Sequence, residues 1–330
     1  MSSKRRVYLL GKLIRYGFTL FLVLSLNFAL PRMMPGDPVV NLLGDEALHN
    51  DPKMRAELRD EFGLDKPLHI QYVDYLKSLF RLDLGYSIHK SQSVRDLMAY
   101  RLFWTMMLVF PSIIVGAVLA LLLGSWAGFS SGSRSDLFLT GLALFLYTCP
   151  PFLLAMVLVS VFSFHLGLFP LGNLTSGGKT GVEYIVDVTW HLFLPVVTLS
   201  LLGASYEFLV VRNSTVQLLE EQFVLAARAK GLRERDILLR HVIRNVLPPF
   251  ISMVALSFGF MVSGALIVEI VFSLNGMGTL VYDAVVARDY PVMQGCFLVL
   301  TVSVLVANLV ADILYGIADP RIGGASSGGL

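Results

Sequence analysis

Six stretches of the chain are long and apolar enough to cross a lipid bilayer, and this feature limits the possible folds more than any other. A spanning helix needs about 20 mostly apolar residues, because the hydrocarbon core is about 30 Å thick and each helical residue rises about 1.5 Å. The stretches cover residues 9–30, 102–129, 137–168, 191–211, 249–272 and 292–317. They predict an all-α polytopic membrane protein with six transmembrane helices.

The composition agrees with a protein whose surface faces lipid. Charged residues make up 15% of the 330 residues and hydrophobic residues 55%, whereas a soluble protein carries about 25% charged residues. The net charge of +2 gives no basis for a nucleic-acid partner. The two cysteines, Cys149 and Cys296, lie inside apolar runs, so neither a disulfide framework nor a cysteine metal site is indicated.

The distribution of Lys and Arg predicts the orientation of the helices. Residues 4–6 are Lys-Arg-Arg and loop 212–248 is also rich in basic residues, so both are expected in the cytoplasm, whereas loops 169–190 and 273–291 carry one basic residue each. Six crossings place both termini in the cytoplasm. A basic start can also open a signal peptide, but the run 9–30 exceeds the roughly 7–15 residues of a signal peptide's apolar region. We expect it to be retained as the first helix.

Residues 31–101 are too polar for lipid and are predicted to form an extracytoplasmic helical insert after the first helix. The insert opens with a turn at 35–38, followed by a helix at 52–62 that Gly63 closes. A second helix is predicted over 67–80, with an apolar face formed by Ile70, Val73, Leu76 and Leu79. The chain is thus divided into a tail and first helix (1–30), the insert (31–101) and a helical core (102–330) that ends in a cytoplasmic tail (318–330).

Two short motifs resemble catalytic sequences but lack the context that the chemistry needs. Gly128 to Gly132 matches G-x-S-x-G, yet the pentapeptide ends a predicted membrane helix instead of forming a strand–turn–helix elbow. Gly178-Lys179-Thr180 resembles the end of a P-loop, but Asn173 stands where the first glycine is required. No histidine has a partner at metal-ligand spacing. The chain is therefore not predicted to be an enzyme or to bind a metal.

The loop 212–248 carries the strongest functional signal. Its central part predicts two short helices separated by Gly231 and ended by the prolines at 248 and 249. Three alanines have side chains so short that a partner can approach the backbone closely, and two basic residues beside them add positive charge. The alanines are Ala226, Ala227 and Ala229, and the basic residues are Arg228 and Lys230. A basic loop that only sets topology is a simpler interpretation, but it does not account for the alanines, the glycine or the length.

Residues 219–249 resemble the EAA loop of ABC-importer permeases, in the Ala-Arg-Ala-Lys-Gly form of the dipeptide and oligopeptide permeases. Leu225 stands where the general pattern has Glu and Arg244 where it has Pro. Both departures suit the peptide-permease branch. A third departure is Asn275, which stands where that group often has Pro, so the resemblance does not fix the geometry of the turn at this residue. Further strings resemble the same group in the same order: Pro35-Gly36-Asp37-Pro38, Gly63 to Leu68 with Gln71-Tyr72, Asp83-Leu84-Gly85 with Ser87, Glu269 to Ser273 with Gly276 and Gly278-Thr279-Leu280, Arg288 to Val292 with Gln294-Gly295, and Asp319-Pro320-Arg321.

This resemblance implies a type I ABC importer permease fold in the plasma (inner) membrane of a prokaryote. It implies three kinds of protein partner: a second homologous permease subunit, two ATP-binding subunits and an extracytoplasmic substrate-binding protein. ATP and Mg²⁺ would be bound by the ATP-binding subunits, and no cofactor is expected in this chain. The resemblance also assigns coupling to the ATPases to a set of six loop residues, which are Ala226, Ala227, Arg228, Ala229, Lys230 and Gly231.

Ionisable residues and prolines within the apolar stretches are candidates for the translocation path. Charge inside a membrane is costly and is often functional, which selects Glu207 and Glu269, with Asp312 in the last stretch. Glu207 could equally extend to the membrane surface or pair with Arg212. Two further candidates, Pro150 and Pro151, are expected to kink the third helix, either beside the path or as a purely structural feature. The four-residue spacing of two glycines instead indicates close helix packing; these are Gly124 and Gly128.

The cargo most consistent with the resemblance is a di- or oligopeptide, moved by alternating access that is coupled to ATP hydrolysis. The same architecture also serves importers of nickel, metal chelates or oligosaccharides, and the binding protein sets much of the selectivity. An ATP-independent carrier or channel is an alternative of another class, which should show inverted repeats and would need no coupling loop.

Overall fold

The computed structural model of the chain describes residues 3–33, 65–87 and 89–318. The predicted turn at 35–38, the predicted helix at 52–62 and the motif at 319–321 lie outside these residues. One short antiparallel hairpin joins strands β1 (Tyr86–Ser87) and β2 (Gln92–Ser93), with Tyr86 opposite Ser93. The rest of the described chain consists of helices and their connections, as the composition predicts.

Twelve α-helices and two π-helical turns follow one another in the described residues. They are α1 (Ser3–Met33), α2 (Leu68–Phe80), α3 (Val94–Phe129), α4 (Arg134–Thr148), α5 (Pro151–Leu158), π1 (Val159–His165), α6 (Gly181–Leu219), α7 (Gln222–Ala229), α8 (Glu234–Asp236), π2 (Ile237–Val242), α9 (Ile243–Gly264), α10 (Leu266–Val271), α11 (Met277–Val286) and α12 (Tyr290–Ala318).

Four segments of the described chain are single helices long and apolar enough to cross a membrane, and they lie in α3, α6, α8 to α9, and α12. The pair formed by α4 and α5–π1 passes the same test as one broken span. In α1 the described apolar part is shorter, at Ile14–Ala29. The total of six membrane-spanning segments therefore stays a prediction.

The third predicted transmembrane stretch, residues 137–168, forms two separate helices and not one kinked helix. Helix α4 ends at Thr148, α5 begins at Pro151, and the two directions differ by 108°. A residue that precedes proline is disfavoured in the helical region, and the pair Pro150-Pro151 applies this restriction twice. Cys149 and Pro150 both have extended backbone, so the helix is interrupted at these two residues and the chain turns sharply.

The prediction that prolines end the second loop helix is wrong, because Pro248 and Pro249 lie inside α9. A membrane helix tolerates proline where side chains and local π-helical turns satisfy the freed backbone groups. The π-helical turn π2 directly precedes α9. Asn245 Nδ2 donates to the carbonyl of His241 at 2.6 Å, and Ser252 Oγ donates to the carbonyl of Pro248 at 3.3 Å.

The described residues form two compact units. The first unit comprises residues up to Trp104 together with Asn275–Ser303, and the second comprises Thr105–Leu274 together with residues from Val304 onward. The first unit buries the beginning of α3 against α11 and the beginning of α12. Its core is apolar and consists of Val94, Leu97, Met98, Met277, Leu280, Ala284, Tyr290, Val292, Met293 and Cys296.

The β-hairpin of the first unit is held by a buried pair of polar side chains. Ser87 Oγ donates to Asp289 Oδ2 at 2.5 Å, and the Lys90 backbone N–H donates to Ser87 Oγ at 3.0 Å. Lys90 Nζ also reaches Asp283 Oδ2 at 3.1 Å. Two of the family-like strings, around Ser87 and Asp289, thus meet in one cluster.

Helix α2 packs on α1 through its polar aromatic face, not through the predicted aliphatic face. The hydroxyls of Tyr72 and Ser25 lie 2.7 Å apart, and the Phe28 ring contacts Tyr72 at 5.1 Å between centroids. Burial raises the pKa of the Tyr75 hydroxyl, which therefore stays neutral and accepts from Asn27 Nδ2 at 3.3 Å. The aliphatic face is partly open, since Ile70 is exposed.

The second unit contains an apolar core to which α3, α4, α6, α7, π2 and α9 contribute. Helices α3 and α6 approach each other most closely along a stripe of small residues on α3, as the glycine spacing predicts. A Cβ on Gly124 would lie 3.0 Å from the carbonyl oxygen of Phe208, and one on Gly128 would lie 2.7 Å from that of Arg212. These backbone-to-backbone approaches leave no room for a side chain.

We expect Gly128→Ala to weaken the fold and Gly141→Ala to leave it intact or strengthen it. The added methyl at position 128 overpacks the contact with Arg212 and Thr215, at a cost of about 1–3 kcal/mol. Gly141 lies in α4, and no atom is within 4 Å of the place that an added methyl group would take. Alanine there removes only the conformational freedom of glycine, worth about 0.5–1 kcal/mol. Unfolding of the purified variants in mixed detergent micelles measures both effects. Equal stability of the two variants would contradict the packing argument.

Candidate coupling loop and buried carboxylates

The loop between α6 and α9 begins farther along the chain than predicted, because α6 continues to Leu219. Arg212, the first residue after the predicted apolar stretch 191–211, pairs with Asp136 inside the fold, and the helix continues past it. Glu221 then takes extended backbone and α7 begins at Gln222.

Gly231 ends α7 with the backbone pattern of a Schellman motif. The Gly231 N–H donates to the carbonyl of Arg228 at 2.9 Å, and the Leu232 N–H donates to that of Ala227 at 3.3 Å. The motif requires left-handed backbone at the residue after the cap, and Gly231 has φ of +78°. The predicted division of the loop by Gly231 is thus present, and its cause is local backbone geometry.

The six residues proposed for coupling do not all face the same way. Ala227 is 5% exposed and packs with Val224 into the core of the second unit. Ala226, Ala229 and Lys230 are exposed on the other side. The exposed side of α7 therefore carries only short side chains at Ala226 and Ala229. Leu225, which is 54% exposed, lies on the same side.

Arg228 is engaged within the loop itself. Its Nε donates to Glu234 Oε1 at 2.9 Å and its Nη2 donates to Oε2 at 3.2 Å. Two parallel bonds of this kind fix geometry as well as charge. The pair bridges the turn at Gly231 and holds α7 to the segment that follows.

The end of α6 is anchored by a buried ion pair that the sequence did not indicate. Asp136, 1% exposed, accepts from Arg212 Nε at 3.0 Å and from Arg212 Nη2 at 2.7 Å. It also accepts from the Gly132 N–H at 2.9 Å and from Thr140 Oγ1 at 3.2 Å. This network ties the turn between α3 and α4 to α6, seven residues before α6 ends.

Glu207 lies inside the membrane-length helix α6 and is 2% exposed, so it neither extends to a surface nor pairs with Arg212. Ser257 Oγ of α9 donates to its Oε1 at 3.1 Å, while Oε2 is buried and has no hydrogen-bond partner. Among the residues that the structure describes, no lysine, arginine or histidine nitrogen lies within 4.0 Å of this carboxylate.

The second carboxylate, Glu269, is also buried but is bonded to a neighbour. It lies in α10, is 1% exposed, and accepts from Thr105 Oγ1 at 2.6 Å. Pro150 and Pro151 form the break between α4 and α5 described above, and Asp312 is half-buried on α12. Each of these residues keeps its assignment to the path as a prediction.

The polar side chains of the two motifs that resemble catalytic sequences are bonded within the fold. Lys179 forms an ion pair with Asp187, which also accepts from the Ser176 N–H at 2.7 Å, so its amino group is held against the first turns of α6. Ser130 Oγ donates to the Trp126 carbonyl at 2.8 Å. Within residues 3–33, 65–87 and 89–318, no group of three or more His, Cys, Asp or Glu side chains is arranged to hold a metal ion.

Sequence reasoning missed Asp136, Val224 and Glu234. The partners of Asp136 and Glu234 lie 76 and 6 residues away, and neither separation has a periodic signal. Val224 shares a helix face with Ala227 at i+3 spacing, so the inward face of α7 could have been found from that pair.

Most of the chain matches family models of one kind of protein. Residues 120–324 match the model described as "Binding-protein-dependent transport system inner membrane component". Residues 6–109 match the model for the N-terminal part of a binding-protein-dependent transport system membrane component. Together the two models cover the insert, the loop and all of the apolar stretches except residues 110–119.

Curated proteins with similar sequences include three named permeases. The di/tripeptide transport system permease protein DppB of Pseudomonas aeruginosa is 34% identical over 320 residues, covering 92% of this chain and 95% of the relative. The glutathione transport system permease protein GsiC of Salmonella typhimurium is 34% identical over 315 residues (96% and 98%). The dipeptide transport system permease protein DppB of Escherichia coli K12 is 32% identical over 316 residues (90% and 93%).

One solved structure with a similar fold is described as inward facing conformations of the MetNI methionine ABC transporter. The match has a TM-score of 0.55 and 17% sequence identity, and it covers 68% of this chain and 96% of the other. At this identity the likeness concerns the fold alone.

Proposed function

The chain belongs to the binding-protein-dependent inner-membrane permeases of ABC importers, in their dipeptide/oligopeptide family, and from this we propose that its cargo is a di- or oligopeptide. The predicted membership and the predicted all-α fold of an importer permease are confirmed. The protein is a multi-pass inner-membrane transport subunit, and its family implies association with ATPases and a binding protein.

The proposed assembly contains a second, homologous permease subunit, two ATP-binding subunits that bind ATP and Mg²⁺, and one extracytoplasmic binding protein. The proposed orientation places both termini, and the loop that contains α7, in the cytoplasm. The basic residues of the loop support this orientation. The insert at 31–101 then faces the binding protein on the other side of the membrane.

The observation that carries the coupling role is the free side of α7. An ATPase can approach closely at Ala226 and Ala229, because both are exposed and neither has a long side chain. On the opposite side, Ala227 and Val224 are buried in a core shared with α3 and α6. A displacement of α7 by the ATPase would therefore move packed helices and not only a loop. Coupling of this kind requires that ATP favours one conformation through differential contacts.

The proposed cargo and energy source can be tested with the assembled complex in proteoliposomes. We expect uptake of a labelled dipeptide that requires the binding protein, ATP and both ATP-binding subunits. Uptake that persists without the ATPases would favour a carrier or channel. ATP-dependent uptake of nickel, a metal chelate or an oligosaccharide, with no uptake of peptide, would contradict the proposed peptide cargo. The role as an importer subunit would remain.

A further inference from the structure

We propose that Glu207 is a binding site for the α-ammonium group of the cargo peptide. The inference rests on the proposed function, since it concerns the peptide that the permease is proposed to carry. It names the chemical group of that peptide and the side chain that receives it.

The first argument is the unsatisfied oxygen of this carboxylate. Oε2 of Glu207 is fully buried without a hydrogen-bond partner, and the whole residue is 2% exposed. Leaving a polar atom buried and unpaired destabilises the fold, and the cost is larger for a charged group. A fold that keeps such an atom either tolerates this cost or uses the oxygen in another state of the protein.

The second argument is the missing positive charge. Arg212, five residues along α6 and about 7.5 Å away along the helix axis, gives its guanidinium to Asp136. In the described part of the chain, no other cationic side chain is within ion-pair distance of Glu207. An ionised carboxylate in an apolar span therefore needs a cation from outside the chain. Every unmodified peptide carries one at its amino terminus.

The third argument is that the one hydrogen bond to Glu207 can be released at low cost. Ser257 Oγ lies 3.1 Å from Glu207 Oε1 and 3.1 Å from the carbonyl of Met253 in its own helix. A serine hydroxyl has a single proton to donate, so the two oxygens compete for it. When α6 and α9 move apart, Ser257 keeps Met253 as an acceptor and Glu207 becomes free to bind cargo.

The position of the pair fits this opening. Helices α6 and α9 are the two helices that flank the loop containing α7. A pull on α7 acts on both of them, and the contact between Glu207 and Ser257 lies directly between them. The carboxylate is thus buried in this conformation and would be uncovered by the movement that the loop is proposed to drive.

A neutral carboxylic acid with a purely structural role is the competing explanation, and Glu207→Gln separates the two. Glutamine keeps the shape and the oxygen that accepts from Ser257, but it cannot carry a negative charge. We expect the wild-type complex to import dialanine faster than N-acetyl-dialanine, whose amino end is neutral. In the variant this preference should fall by about tenfold to a hundredfold, the range for a hydrogen bond between charged groups.

The preference is measured as the ratio of kcat/KM for the two peptides, with the same binding protein throughout, so that the contribution of the binding protein cancels between variants. Glu183→Gln is the matched control, because Glu183 is exposed in the first turn of the same helix. The control should keep the wild-type ratio. An unchanged ratio in Glu207→Gln would overturn the inference.

A second measurement uses the wild-type complex and does not depend on how the variant folds. Dicyclohexylcarbodiimide, an apolar reagent for buried carboxyl groups, is applied during turnover, and modification of Glu207 is read by mass spectrometry. We expect dialanine to protect Glu207 and N-acetyl-dialanine to give no protection. Equal protection by both would overturn the inference alone, whereas absence of any peptide uptake by the wild type would overturn the proposed function.

Discussion

Replacing Gly231 by valine is expected to remove most ATP-driven uptake while the ATPases continue to hydrolyse ATP. Gly231 has φ of +78°, and a β-branched residue in this left-handed region costs about 1–2 kcal/mol or more. No atom lies within 4 Å of the place that a Cβ would take, so the effect arises from the backbone and not from a collision. The Schellman motif would open, and α7 would no longer present its outer alanines in the same direction.

Asparagine is the control for this prediction, because it tolerates left-handed backbone and is the alternative residue at this position of the motif. We expect Gly231→Asn to retain most uptake and Gly231→Val to raise the number of ATP molecules hydrolysed per imported peptide by about tenfold, within the usual range of coupling between sites. Both quantities are measured in the same proteoliposomes. Wild-type uptake by the valine variant would refute the role of the turn in coupling.

The turn at Gly231 could be predicted from the sequence because its cause is local. The Schellman motif joins residues five and three positions apart, here Leu232 to Ala227 and Gly231 to Arg228, and glycine is the usual residue at its left-handed position. The amphipathic spacing of Val224 and Ala227 is equally local. Sequence patterns of this length carry the information that the backbone uses.

The two proline pairs show where a local reading stops. Pro150-Pro151 lies within the apolar stretch 137–168 and breaks the chain into two helices, whereas Pro248-Pro249 lies at the start of the stretch 249–272 and inside one helix. The helix that contains the second pair follows the π-helical turn π2 directly along the chain, whereas the first pair follows a regular α-helix. A proline pair alone therefore does not decide whether a helix ends.

The buried polar pairs lie beyond sequence reasoning because the fold alone brings their members together. Arg212 had a nearby candidate partner in Glu207, but it pairs with Asp136, 76 residues away. Ser87 and Asp289 are 202 residues apart. The isolation of Glu207 follows from the first of these pairings, so the candidate cargo site also depended on a long-range contact.

Loss of Arg212 is expected to have the largest effect on stability. Arg212→Gln leaves Asp136 in a site where it is 1% exposed, and removal of one partner from a buried ion pair costs about 3–5 kcal/mol. Asp136→Asn should cost less, because the Arg212 side chain keeps 23% of its surface exposed and can regain water. Unfolding of purified protein in mixed detergent micelles gives the free energies.

A double-mutant cycle distinguishes this buried pair from an ordinary ion pair. Asp136→Asn combined with Arg212→Gln removes both charges, so the double variant should be more stable than Arg212→Gln alone. Lys90→Gln is the control, because Lys90 and Asp283 form a pair that is more than one-third exposed on both sides and is worth about 0–1 kcal/mol. If Arg212→Gln were no more destabilising than Lys90→Gln, the anchor at the end of α6 would not be needed for the fold. In that case the apolar core shared by α3, α4 and α6 would be sufficient to hold this end of α6.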